Sequence, residues 1–167
     1  MSFSIAKTPS LKGKTALVTG GNIGLGFETV KALTSKGAHV LLAARNEEKG
    51  NAAIAEIQKL VPNAHVELLH LDLASQRSIK AAVAEVGNKF SQLDLLINNA
   101  GIMAMPETLT EDGYESQFGV NHLGHWSLTA LLMDNLKAAD AARVVTVTTR
   151  ACSAANKLSM SSPVRLQ

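Results

Sequence analysis

An α/β fold, a doubly wound parallel sheet of five strands in the order 3-2-1-4-5, is what the chain predicts, on three observations. Apolar periodicity switches back and forth between the strand pattern and the helix pattern along the whole sequence. A strand at Lys14 to Val18 runs directly through the turn Thr19-Gly20-Gly21-Asn22-Ile23-Gly24-Leu25-Gly26 into an amphipathic helix. Finally, 46% of the residues are hydrophobic and only 18% charged, enough apolar side chain to cover a parallel sheet on both faces.

The elements follow in order. After the first strand, Leu25, Val30 and Leu33 form a helical stripe that stops at Gly37, and His39 to Ala44 is a second strand. Ile54, Ile57 and Leu60 mark the next helix before Pro62, and Val66 to Leu71 the third strand. Ser75 is placed to N-cap a helix carrying Ile79, Val83, Val86 and Phe90. Leu93 to Ile97 gives a fourth strand, Thr110 opens a long helical stretch to about Leu136, and Arg143 to Val147 gives a fifth strand. Right-handed crossovers between parallel strands yield the stated order. Residues 1–167 read as a single domain, with a core over 11–151 and a divergent tail over 152–167.

Composition narrows the function classes. A formal net charge of +2 with scattered Lys and Arg implies neither a nucleic-acid partner nor a charged membrane surface. The single Cys152 cannot form an internal disulfide, which points to a reducing compartment. Met1 to Gly13 holds no signal-peptide core and no run reaches the length of a membrane span, so a cytoplasmic location is expected.

The glycine-rich turn carries the chemistry. A strand that turns through glycines into a helix start leaves backbone N–H groups unpaired beside the positive end of the helix dipole, where a pyrophosphate would sit. The spacing is Thr-Gly-x-x-x-Gly-x-Gly rather than Gly-x-Gly-x-x-Gly, and the bland alternative is a tight connection between strand and helix.

Four features in order, Thr19 to Gly26, Asp72 after the third strand, Asn98-Asn99-Ala100-Gly101 after the fourth and Asn121 in the next helix, resemble the short-chain dehydrogenase/reductase family. The wording Phe118 to His125 is most similar to its retinol-dehydrogenase-like and WW-domain-oxidoreductase-like branch, and the resemblance covers Leu11 to roughly Ala151. It implies a Rossmann-like fold and a nicotinamide dinucleotide partner, with a small carbonyl or alcohol as the substrate of a full-length parent. Gly20, Asn22, Ile23, Gly24 and Gly26 would line the pyrophosphate turn, and Asp72 and Leu73 would hold the adenine. Asn99, Ala100 and Gly101 would pass the nicotinamide ribose, Asn98 would tie the central strands together, and Asn121 matches the catalytic Asn behind the active-site lysine. Where NAD-specific relatives place a carboxylate for the ribose 2′-OH, this chain has Ala44 followed by Arg45, so NADP(H) is preferred over NAD(H). Pairing of Arg45 with Glu47 or Glu48 is the competing reading.

His122 and His125 sit at i and i+3, but no third ligand with zinc-like spacing accompanies them, so they are expected to pack rather than bind metal. Cys152 has no visible base partner and is expected to be an incidental thiol. The chain also departs from the family pattern. Thr149 stands where the family places its catalytic serine, keeping a hydroxyl donor. The family's Tyr-x-x-x-Lys is missing: the single tyrosine, Tyr114, is followed four residues later by Phe118. The expectation is therefore a carboxyl-terminally truncated family member that is inactive alone, or a nucleotide- or partner-binding isoform. Val144 to Val147 would be an exposed apolar edge, leading to homo-oligomers, association with a full-length relative, or poor solubility.

Overall fold

The computed structural model describes residues 5–148. Thr149 and the expected tail over 152–167 lie outside the described residues. In chain order the elements are β1 (Thr15–Thr19), α1 (Gly24–Ser35), β2 (His39–Ala44), α2 (Glu47–Leu60), β3 (His65–His70), α3 (Gln76–Lys89), β4 (Leu95–Asn98), α4 (Ser116–Phe118), a π-helical segment (Gly119–Gly124), α5 (His125–Leu131), α6 (Met133–Lys137) and β5 (Arg143–Thr146). The strands form one parallel sheet in the order β3-β2-β1-β4-β5, as the periodicity predicts.

Parallel strands with both faces covered need near-continuous apolar runs, and the period of two then deals them to opposite sides. Ala16, Val18, Val40 and Leu42 pack with Val30 of α1 and Ala53 and Ile57 of α2. Their neighbours Leu17, Leu41, Ala43, Leu69 and Leu96 pack with Ile79 and Val86 of α3 and with Leu128, Leu132 and Leu136 beyond the π segment. Each such large side chain, fully buried, contributes about 1.5–3 kcal/mol, so the two half-cores make β1 the centre of the molecule. Asn46 Oδ1 accepts the Lys49 N–H at 2.8 Å and Ser75 Oγ the Ser78 N–H at 3.3 Å, capping α2 and, as expected, α3.

Three expectations are corrected. Leu25 and Leu60 are 72% and 56% exposed, because α1 docks through Gly26, Val30 and Thr34 and α2 through Gly50, Ala53 and Ile57. The glycines bring the helix backbones close, shifting each buried stripe. The helix expected from Thr110 begins at Ser116: Leu109 bridges Glu115, and Gly113 at φ +82° closes the turn between them. Glu115 then caps α4, its carboxylate accepting from the Gln117 and Phe118 amides at 2.8 and 2.7 Å. The helical stretch is also broken at Leu132, between α5 and α6.

At the sheet's far side β5 pairs, among the described residues, only with β4, and all four of its residues are exposed, as expected of an apolar edge there.

Candidate functional site

Thr19, at the carboxyl end of β1, is 1% exposed and organises the site. Its hydroxyl accepts the Asn99 and Ala100 amides, each at 2.9 Å. Asn99 returns the bond, its Nδ2 donating to the Thr19 carbonyl at 2.9 Å and reaching the Gly20 carbonyl at 3.4 Å. Asn99, not Asn98, thus stitches β1 to β4. The Asn98 Nδ2 instead donates to Thr129 Oγ1 on α5 at 3.1 Å, because alternation turns the two side chains to opposite sides of the chain.

The turn after Thr19 is shaped by close approach. Gly20, at φ +64°, donates its amide to the Ala43 carbonyl of β2 at 2.8 Å, and a Cβ there would meet Ala100 Cα at 3.0 Å. A Cβ on Gly26 would land on the Gly20 carbonyl oxygen and 2.6 Å from Asn99 Nδ2, so only glycine lets α1 sit this tightly behind the turn. Unlike α2 and α3, α1 has no side-chain cap: the N-cap position is Ile23, which is 75% exposed. Its first-turn amides thus receive no acceptor from the N-cap side chain, the arrangement from which anion sites are built.

A cleft of 160 Å³ opens over the carboxyl ends of β1, β2 and β4, lined among others by Gly20, Asn22, Ala44, Arg45, Asp72, Leu73, Ala100 and Gly101. Seven of the expected dinucleotide residues therefore meet in one place. Ile23, Gly24 and Gly26 lie behind it on α1 and its cap, and Asn99 lines an adjoining cavity. Asp72 is held in an Asx turn, its Oδ1 accepting the Ala74 amide at 2.9 Å while its own amide donates to Ser78 Oγ at 2.9 Å. Arg45 is exposed at the rim and, among the described residues, makes no ion pair, with Glu47, Glu48 or any other carboxylate.

The adjoining cavity, 360 Å³, shares Ala100 and Gly101 with the first and adds Asn98, Asn121, His125 and Thr146 to Thr148. Asn121 lies in the π segment, a rare local geometry that is frequent at functional sites. Its side chain holds the loop after β4 in both directions: Oδ1 accepts the Ile102 amide and Nδ2 donates to the Ile102 carbonyl, each at 2.8 Å. The catalytic assignment of Thr149 falls outside the described residues. Tyr114 is 47% exposed and lines neither cavity.

The two histidines do not converge. His122 stacks on Phe118 with ring centroids 5.2 Å apart, whereas His125 is buried with Nε2 2.9 Å from Thr19 Oγ1 and Nδ1 3.1 Å from the Asn121 carbonyl. Burial pushes the His125 pKa below its ordinary value, against a weaker upward pull from the Asn121 carbonyl. Sequence reasoning expects only packing here. Its signal was the position itself, one helical turn after Asn121.

Outside the cleft, Asp94 belongs to no motif in the sequence. It is 3% exposed at the foot of β4, a charge inside the apolar run Leu93 to Ile97.

This arrangement, a doubly wound sheet with a glycine turn at the carboxyl end of its central strand and the Asn99 loop stitched to it, is that of a nucleotide-binding oxidoreductase fold. The chain belongs to the short chain dehydrogenase family, whose profile matches residues 14–161. It is 46% identical over 142 residues to "Retinol dehydrogenase 13" of Homo sapiens, covering 85% of this chain and 43% of that protein. Among solved structures it is similar to an uncharacterised protein from Mycobacterium Paratuberculosis, at 42% identity and TM-score 0.72 over 81% of this chain and 47% of that one. A metagenomic short-chain oxidoreductase solved in complex with NADP is 27% identical, with TM-score 0.73 over 83% of this chain and 63% of the other. The chain thus spans less than half the length of the curated relatives it matches. Among the described residues no helix is long and apolar enough to cross a membrane.

Proposed function

We propose that the chain binds a nicotinamide dinucleotide, NADP(H) in preference to NAD(H), as the cofactor-binding part of a cytoplasmic oxidoreductase for carbonyl and alcohol interconversion. The observation that carries this reading is the joint lining of one cleft by the glycine turn, Arg45 at the end of β2 and Asp72 after β3.

The residues fit the group. The first turn of α1, with no bond from its N-cap side chain, presents amides to a pyrophosphate, and Gly20 and Gly26 let the turn close tightly against Ala100 and the start of the helix. Asp72 and Leu73, which line the cleft, would hold the adenine, and Asn99, Ala100 and Gly101 would pass the nicotinamide ribose. Arg45, exposed and without an ion pair among the described residues, is available to a 2′-phosphate in fork geometry. When bound, the cofactor supplies or takes the hydride. Asn121 holds the Ile102 loop beside the site, and the hydroxyl of Thr149 is the candidate to orient a carbonyl oxygen. The relatives named retinol dehydrogenase support a small carbonyl or alcohol substrate for a full-length parent.

Residues 1–167 contain no Tyr-x-x-x-Lys, so nothing in them protonates an alkoxide as it forms, and this stretch is inactive by itself. A second reading, a module that binds nucleotide and a second copy or a full-length relative, is favoured by the exposed β5, where Val144 and Val145 are 45% and 48% exposed. The test is thermal unfolding with added NADPH. At a hundred times the dissociation constant, binding adds about 2.7 kcal/mol of stability, whereas no shift at millimolar NADPH rejects the dinucleotide reading.

A further inference from the structure

His125 stands outside the residues that the dinucleotide reading uses, yet it is buried between two of them. The protons of its network can be placed by elimination. A backbone carbonyl only accepts, so Nδ1, 3.1 Å from the Asn121 carbonyl, carries the ring proton, and Nε2 presents a lone pair. Thr19 Oγ1, 2.9 Å from that lone pair, must then donate to it. The other acceptor within reach of the hydroxyl, the Ile97 carbonyl, is farther away at 3.4 Å. With its proton committed to His125, the hydroxyl keeps both lone pairs for the Asn99 and Ala100 amides, each at 2.9 Å. Every site on Thr19 Oγ1 and both ring nitrogens are then satisfied, with one tautomer and one rotor position.

We propose that His125 is a positioning residue: its Nε2 locks the Thr19 hydroxyl so that both lone pairs face the Asn99–Ala100 amides, and its Nδ1 ties the same network to Asn121. The effect is to join the floor of the cofactor cleft to the π segment through one imidazole. Ala100 lines both cavities, so a shift of its amide moves the walls of each. The consequence for cofactor affinity rests on the dinucleotide reading above; the consequence for the Asn99 and Ala100 amides does not.

The experiment combines three measurements on the full chain. Nitrogen-15 NMR of the unsubstituted protein should show His125 as the Nδ1–H tautomer, with Nε2 unprotonated and hydrogen-bonded. Without cofactor, His125→Leu should speed hydrogen exchange at the Asn99 and Ala100 amides about tenfold, since a lost acceptor frees the rotor. His125→Gln, whose side-chain oxygen can accept from Thr19, should stay within about threefold. NADPH affinity should fall by a similar factor, about tenfold, in His125→Leu and be restored in His125→Gln. An Nε2–H tautomer, or His125→Leu with unchanged exchange, overturns the proposal, and should that variant fail to fold, the tautomer and the His125→Gln exchange rates still decide it. Exchange that behaves as stated while NADPH binds neither variant nor the unsubstituted chain overturns the dinucleotide reading, and the cofactor role of His125 with it.

Discussion

Asp94 holds the foot of β1 from the foot of β4: its Oδ2 accepts the Thr15 amide at 2.9 Å while its own amide donates to the Thr15 carbonyl at 3.0 Å. Its Oδ1 also accepts from Lys14 Nζ at 2.9 Å and from Gln92 at 3.4 Å. Burial pushes this carboxyl up, but the bonds from Lys14, Thr15 and Gln92 outweigh it and leave the pKa below its ordinary value of 3.8. A carboxyl lowered on folding stabilises the native state at pH above the unfolded value, and loses that contribution as pH falls through the folded one. Asp94→Asn should therefore cost about 1.5–3 kcal/mol near neutral pH. The gap to the unsubstituted chain should narrow below pH 3.8, as urea unfolding at a series of pH values would measure.

Gly26→Ala tests the close approach behind the turn. The added methyl would meet the Gly20 carbonyl, which is backbone and cannot rotate away. Overpacking of this kind should cost about 1–3 kcal/mol, opposing the roughly 0.5–1 kcal/mol gained from helix propensity and leaving the variant net destabilised. Gly87→Ala in α3, where a Cβ would meet nothing within 4 Å, serves as the control and should be neutral or stabilising in the same denaturant series.

Arg45→Asp should abolish the preference for NADPH over NADH, since it sets a like charge against the 2′-phosphate. Fluorescence titration with both cofactors checks it. Equal affinities for the unsubstituted chain, unchanged on substitution, would reduce Arg45 to a solvated rim charge.

On catalysis, the purified chain should not oxidise NADPH measurably with retinal or small aldehydes. Grafting the Tyr-Lys segment of a close relative after Ala151 should raise the rate by about 10²–10⁴-fold, the usual contribution of a positioned acid. Turnover by the ungrafted chain at a comparable rate, abolished by Asn121→Ala or Thr149→Ala, would require a proton donor elsewhere in these residues.

The parts of this molecule written in local sequence are the parts that residue order reveals. β2 spans His39–Ala44 as expected because an apolar run is bounded by Gly37 on one side and Arg45 on the other. The turn at Thr110–Gly113 was legible too, in Asp112-Gly113, but a helical period laid across it hides that signal. Seven cleft residues follow from motif and strand ends, whereas the tie to β1 from Asn99 rather than Asn98 does not, because it depends on which side of β4 each faces once β1 has docked. The polar duty of His125 was beyond reach for a similar reason: both histidines look alike until the π segment turns one toward Thr19 and the other toward Phe118.

The bonds that close on the Thr19 hydroxyl span 80, 81 and 106 residues of sequence. A chain emerging from the ribosome at about 5–20 residues per second would expose the glycine turn roughly 5–20 s before His125 arrives to complete its setting. For most of that interval, until Leu95–Asn98 emerge, β1 has β2 for a neighbour but not β4, and the histidine follows later still, so the half-sheet offers an open apolar edge and no finished nucleotide cleft. Long-range closure of this kind raises contact order and slows folding. Assembly of the binding cleft thus waits for the segment around His125, and a nucleotide that selects the closed form would act as a ratchet on the folding chain.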